Sequence, residues 1–130
     1  GKVSVDLGFI PELARRIYAG SDMFLMPSQS EPCGLAQMIS MRYGTAPIVR
    51  ETGGLRDTVR DNGGINGNGY TFKTYNADDM LDAVKRAKSD YENKDVWSSL
   101  VKRALECNNS WSASADIYIE TFNELLSAKD

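Results

Sequence analysis

Two glycine-bearing junctions hold the residues most able to do chemistry. They are Ser30-Glu31-Pro32-Cys33-Gly34-Leu35-Ala36-Gln37 and Arg50-Glu51-Thr52-Gly53-Gly54-Leu55-Arg56-Asp57. Each follows a short apolar run and each opens onto a helical pattern. Glycine lets backbone approach a ligand closely. The first N–H groups of a helix have no internal acceptor and suit phosphate. Gly34, Leu35 and Ala36 therefore offer amides to a diphosphate or a sugar hydroxyl, and Glu31 offers an acceptor for sugar hydroxyls. On residue type alone, Glu31 reads equally as a solvated loop carboxylate and Thr52 as a helix cap.

What is missing narrows the chemistry. Histidine is absent from the 130 residues. That removes a Ser/His/Asp triad, a Cys/His pair and most zinc sites. Cys33 and Cys107 lie far apart with no paired spacing and read as reduced thiols. A net charge of −3 gives no electrostatic reason to expect nucleic acid or an anionic membrane as partner. No apolar run approaches the roughly 20 residues of a membrane span. No signal peptide opens the chain, and a cytoplasmic location is expected. The chain begins without an initiator Met and enters a strand pattern at once, which reads as an excised or processed piece.

The elements that must position these loops follow from periodicity. Val3, Val5 and Leu7 alternate with polar residues and predict a strand. Pro11 and Glu12 suit the first turn of a helix running to Gly20. Met23–Met26 and Pro47–Val49 are short continuous apolar runs, as in strands buried on both faces. Helices are predicted over Leu35–Tyr43, ended by Gly44, and over Leu55–Arg60. The Asp61–Gly69 stretch, with four Gly and three Asn, reads as a flexible loop. Gly69–Phe72 is the last strand.

Three helices close the chain, over Ala77–Tyr91, Asp95–Cys107 and from Ser110 through Ser127. Met80, Leu81, Val84 and Ala87 give the first of them a core-facing stripe. Trp97, Trp111, Tyr118 and Phe122 read as core, Arg15 and Arg16 as surface charges, and Asp78 and Asp79 as first-turn carboxylates. The order βαβαβαβααα predicts one α/β domain over residues 1–130, with a partial Rossmann-like parallel sheet of short strands flanked by helices and with C-terminal helices. In such sheets ligands sit beyond the carboxyl ends of the strands, where both loops fall.

Several linked segments carry a family resemblance. They are Ile17-Tyr18-Ala19-Gly20-Ser21-Asp22-Met23-Phe24-Leu25-Met26-Pro27-Ser28, Glu31-Pro32-Cys33-Gly34-Leu35, Met41-Arg42-Tyr43-Gly44-Thr45, Thr52-Gly53-Gly54-Leu55 and Asp57-Thr58-Val59. In this order they resemble bacterial glycogen synthases and plant starch synthases, and the closing Ser110-Trp111 with Tyr118 resembles their last helix. The resemblance implies a GT-B fold and a cleft between two Rossmann-like domains. It also implies metal-free, cofactor-free, retaining transfer of glucose from ADP-glucose to the non-reducing end of an α-1,4-glucan, in the cytoplasm or, in a plant, in a plastid.

The resemblance makes Glu31 the candidate catalytic residue, holding the donor glucose by its hydroxyls. It puts the Cys33 and Gly34 backbone on the same sugar, Leu35 and Ala36 against the phosphates, Thr52 and Gly53 on the second wall, and Phe9 against the adenine. Some positions depart from the pattern. Phe9 stands for a tyrosine, Ala36 for a hydrogen-bonding residue, and Ile39 for the second glutamate of many related transferases. The family's upstream Arg…Lys segment and its N-terminal domain do not occur in these residues, so the chain alone is expected to be inactive. The family's first two strands would lie between Val3–Leu7 and Met23–Met26, and the exposed edge left by their absence predicts self-association. The rival readings are the donor-binding part of another GT-B transferase and a non-catalytic sugar-nucleotide-binding module.

Overall fold

The computed structural model describes residues 1–64 and 66–128. Its elements are α1 (Pro11–Gly20), β1 (Met23–Met26), α2 (Ala36–Arg42), β2 (Ala46–Arg50), α3 (Gly53–Thr58), β3 (Tyr70–Phe72), α4 (Ala77–Glu92), α5 (Lys94–Leu105) and α6 (Trp111–Ser127). The three strands are parallel, in the order β1-β2-β3, with Leu25 beside Ile48 and Ile48 beside Tyr70. This is the α/β parallel sheet flanked by helices that the patterning predicts.

Central β2 shows why its apolar run is continuous rather than alternating. Ile48 joins Ala46, Tyr70 and Phe72 on one face, under Ala83 and Ala87 of α4 and Leu100 of α5. Val49 faces the other way, against Leu55, Val59 and half-buried Met26. The α4 stripe is rotated from the predicted one: Ala83 is buried and Leu81 exposed, with Met80, Val84 and Trp97 packed at the core margin. Asn76, Asn93 and Ser110 cap α4, α5 and α6, each accepting from backbone N–H groups of the first turn.

Three expectations fail. Val3–Leu7 forms no strand, and its apolar side chains are exposed. A strand exists through ladder bonds to a neighbour, and residues 1–10 pair with neither free edge of the sheet. Trp111, Tyr118 and Phe122 are not core: Trp111 is 89% exposed, and the other two also lie open. They do sit on a helix, but α6 packs substantially against no other described element, and a helical stripe is buried only when something covers it.

The third failure is Met23–Met26, read as buried on both faces: it is an edge strand, and Leu25 is 43% exposed. The Asp61–Gly69 loop is anchored at several points. Its ends are stitched by the Asp61–Gly69 bridge. Buried Asn68 accepts from Arg60 N at 2.7 Å and donates to Thr58 O at 3.0 Å, and Arg103 Nε donates to Gly67 O at 2.6 Å.

Candidate functional site

Both glycine junctions fall beyond the carboxyl ends of their strands, residues 28–35 after β1 and 51–52 after β2. They are in direct backbone contact. A Cβ on Gly53 would lie 1.9 Å from Glu31 O, and one on Gly54 would lie 2.2 Å from Cys33 O. Gly54 N donates to Glu31 O at 3.3 Å and to Pro32 O at 3.2 Å. Gly53 also has φ +44°, and Gly34 has φ +74°. Only glycine reaches these conformations without strain while leaving room for the neighbouring chain. The second loop thus forms the floor on which the Glu31-Pro32-Cys33-Gly34 turn rests.

Glu31 is half-buried, whereas Cys33 and Leu35 are exposed, Leu35 by 64%. Among the described residues, the N–H groups of Gly34, Leu35 and Ala36 have no hydrogen-bond acceptor within the protein. The structure therefore gathers Glu31, Cys33, Gly34, Leu35, Ala36, Thr52 and Gly53 around one contact between loops. Thr52 occupies the N-cap position of α3, but its side chain caps nothing. Phe9 is not in this group. Its ring is 94% exposed and lines a small depression made by residues 6–17.

Two residues that anchor the loops were not singled out by sequence reasoning. Arg50, the last residue of β2, donates from Nε to Ser28 O at 2.9 Å and from Nη2 to Gln29 O. Its Nη1 reaches Lys73 O at 3.4 Å, and its guanidinium lies 5.8 Å from the centre of the Tyr75 ring. It joins the loops that follow β1 and β3. A charge directly after the apolar run Pro47-Ile48-Val49 was the available signal. The other is Gln37, fully buried at the start of α2. Gln37, Ser40 and Met41 fall on one helical face, but two of the three are polar, so hydrophobicity hides the stripe.

Beside β3 lies a separate open depression of 740 Å³, lined by Glu51, Asp61, Thr71, Lys73, Asp79 and Arg86 among others. It contains none of the expected site residues, and Asp61, Asp79 and Arg86 are bonded within the protein. Arg86 Nη1 donates to Asp61 at 2.7 and 2.9 Å, and Nη2 donates to Thr71 O at 2.7 Å. Thr71 N donates to Asp61 at 2.7 Å. Burial pushes the Asp61 carboxyl up, but Arg86 and the Thr71 and Gly63 N–H groups outweigh it and hold Asp61 below the usual carboxylate range. Asp79, solvated, is also lowered, by the Thr74 N–H and hydroxyl and by Lys73 N–H. Among the described residues no three His, Cys, Asp or Glu side chains converge on a point that would hold a metal ion. Cys33 and Cys107 are free thiols, as expected. No helix among the described residues is long and apolar enough to cross a membrane.

Comparison with known proteins agrees with the resemblance read from the motifs. The chain is 53% identical over 127 residues to a glycogen synthase of Anoxybacillus flavithermus, covering 96% of this chain and 26% of that protein. It is 51% identical over 129 residues to one from Kosmotoga olearia, covering 98% and 27%. The chain thus spans about a quarter of the length of the curated relatives it matches. Among solved structures, the catalytic domain of starch synthase IV from Arabidopsis thaliana, bound to ADP and acarbose, superposes with a TM-score of 0.83 at 40% identity, over 93% of this chain and 26% of that one. A sucrose-phosphate synthase from Thermosynechococcus elongatus matches less closely, with a TM-score of 0.59 at 25% identity over 85% of this chain and 27% of its own. The family described as "Glycosyl transferases group 1" matches residues 5–103. With three quarters of its length matched, the chain belongs to the group 1 glycosyl transferase family.

Proposed function

We propose that this chain is the donor-binding part of a glycogen or starch synthase. The intact enzyme would be a retaining transferase that moves glucose from ADP-glucose to the non-reducing end of an α-1,4-glucan. The observation that carries this reading is the Glu31-to-Gly34 turn, locked against Gly53 and Gly54 with the Gly34, Leu35 and Ala36 amides left without acceptors. It occurs in a chain about half identical to glycogen synthases and similar in fold to a starch synthase solved with ADP and acarbose.

In this reading Glu31 accepts hydrogen bonds from the glucose hydroxyls, and the Cys33 and Gly34 backbone borders the same ring. The Leu35 and Ala36 amides face the phosphates, where donors fixed in advance stabilise the charge that grows on the departing diphosphate. Thr52 and Gly53 form the second wall, and Phe9 stacks on adenine once its segment is drawn in. No metal or cofactor enters the scheme. The remaining partners are the α-glucan and the other domain of a GT-B enzyme. The same reading puts the protein in the cytoplasm, or in a plastid were its source a plant.

Ligand-observed NMR with ADP-glucose, UDP-glucose and ADP tests the assignment. Preferential contact with ADP-glucose supports it. Preference for UDP-glucose would favour a group 1 transferase of another donor class, the direction in which the weaker likeness to a sucrose-phosphate synthase points. Contact with neither sugar nucleotide counts against the donor site.

A further inference from the structure

Gln37 has no exposed surface, so it cannot touch a ligand, yet its side chain bonds to the first site loop and, through Thr58 at the end of α3, is linked to the second. Its Nε2 donates to Gly34 O at 2.7 Å, to Cys33 O at 3.3 Å and to Thr58 Oγ1 at 3.1 Å. Thr58 Oγ1 in turn donates to Gly54 O at 2.7 Å, and Gly54 N donates back to Glu31 O and Pro32 O. The circuit closes around both loops.

Its effect on the exposed face follows from peptide geometry. A trans peptide is planar, with its C=O and the following N–H pointing in opposite directions, and no described peptide bond here is cis. Gln37 draws the Cys33 and Gly34 carbonyls inward. The N–H groups of the same two peptides, on Gly34 and Leu35, are therefore turned away from Gln37, at a buried and an exposed residue respectively. These are two of the amides that have no acceptor in the protein.

The arrangement leaves one buried group unmatched. Gln37 Oε1 has no hydrogen-bond partner, and it packs 2.5 Å from where a Gly34 Cβ would stand. Unpaired buried acceptors are disfavoured. A methionine would fill the same volume but would leave the Cys33 and Gly34 carbonyls without this donor, so what the amide adds is the set of N–H bonds that fix the turn.

We propose that Gln37 is a positioning residue for the donor turn: it turns the Gly34 and Leu35 amides away from itself, towards the donor side, and, through Thr58 and Gly54, holds the Glu31 backbone. The role in catalysis rests on the donor-site reading above; the clamp itself does not.

The test compares the chain with Gln37→Met, Thr58→Val and Thr58→Ser. Amide chemical shifts and hydrogen exchange are read at Gly34, Leu35 and Gly54, with ADP-glucose titrations and thermal melts alongside. In Gln37→Met the Gly34, Leu35 and Gly54 amides shift, and Gly54, the hydrogen-bonded one, exchanges faster. ADP-glucose binding weakens about tenfold, as expected for misaiming two neutral donors, and the melt falls by several degrees because buried acceptors lose their donor. Thr58→Val reproduces the change at Gly54, and Thr58→Ser, which keeps the hydroxyl, restores it. Unchanged loop amides in Gln37→Met overturn the proposal, as does an unchanged dissociation constant where the parent chain binds. If the parent chain binds no ADP-glucose, the donor reading fails and the amide signals alone decide the clamp. Should Gln37→Met not fold, the Thr58 pair decides the clamp at Gly54: a change in Thr58→Val that Thr58→Ser reverses supports it, and an unchanged Gly54 amide overturns it.

Discussion

Gly53 is where the contact between the two loops can be broken most cleanly, because its replacement sets strain and contact against the same loop. In Gly53→Ala the new Cβ meets Glu31 O at 1.9 Å, and ordinary contact begins at 3.4 Å, so the two loops must part by about 1.5 Å. The backbone at φ +44° adds about 1–2 kcal/mol for a residue with a Cβ. Forcing atoms into a packed contact typically costs a further ~1–3 kcal/mol. The expected loss is about 2–5 kcal/mol, or roughly 10–20 °C in Tm for a chain of this size. Gly54→Ala isolates the contact, since it meets Cys33 O at 2.2 Å without a positive φ. Gly20→Ala meets nothing within 4 Å and serves as the control. Melts followed by circular dichroism, with ADP-glucose titrations below the transition, give both readouts. Displacement of a positioned group by ~1 Å can cost 10²-fold in a reaction, so donor contact should vanish even where Gly53→Ala stays folded. A Gly53→Ala chain that melts within about 3 °C of the parent and binds donor normally would refute the interlocking of the loops.

Three further outcomes follow from the geometry. Arg50→Leu loses the bonds to Ser28, Gln29 and Lys73 carbonyls. Since its outer bonds are exposed, urea titration should show a loss of about 1–2 kcal/mol with an unchanged slope. Acid stability should carry the mark of Asp61 and Asp79, whose carboxyls lie below their ordinary value of 3.8 in the folded chain. A lowered folded value means stability that is complete well above pH 3.8 and is lost as pH falls through and below it. Melts at pH 7, 5, 4 and 3 should fall mainly over the last two steps, and Asp61→Asn should lower the pH 7 melt while flattening that fall. The outer edge of β1 is unpaired, and Val3, Val5, Leu7 and α6 expose apolar side chains. Light scattering should therefore show mass rising with concentration, reduced by Leu25→Lys on the half-exposed edge strand; a constant monomer mass would contradict it.

Much of the fold was legible because local signals and packing agree. The run Pro47–Val49 is continuous because β2 is buried on both faces, Met23–Met26 is a strand though a half-exposed one, and Asn76 and Ser110 cap the helices they precede. The failures share a cause: periodicity reports which face of an element is apolar, not whether anything covers it. Val3–Leu7 alternates without a neighbouring strand, and Trp111, Tyr118 and Phe122 lie on a helix that no other described element packs substantially against. At the site, glycine and carboxylate positions were readable because they stand out by residue type. The clamps were not. Arg50 acts through backbone carbonyls 21 to 23 residues away, and Gln37 joins the turn just before it to the Thr58 hydroxyl 21 residues on; no local spacing encodes such long-range contacts.

The central claim is that Glu31 and the adjoining amides receive the glucose of a nucleotide sugar. Saturation-transfer NMR of the chain with ADP-glucose, repeated on Glu31→Ala with ADP alone as reference, tests it most directly. Contact is expected at both the adenosine and the glucose protons, with the glucose signals alone weakened by the substitution. Glucose signals unchanged in Glu31→Ala, or contact confined to adenosine in the parent chain, would contradict it.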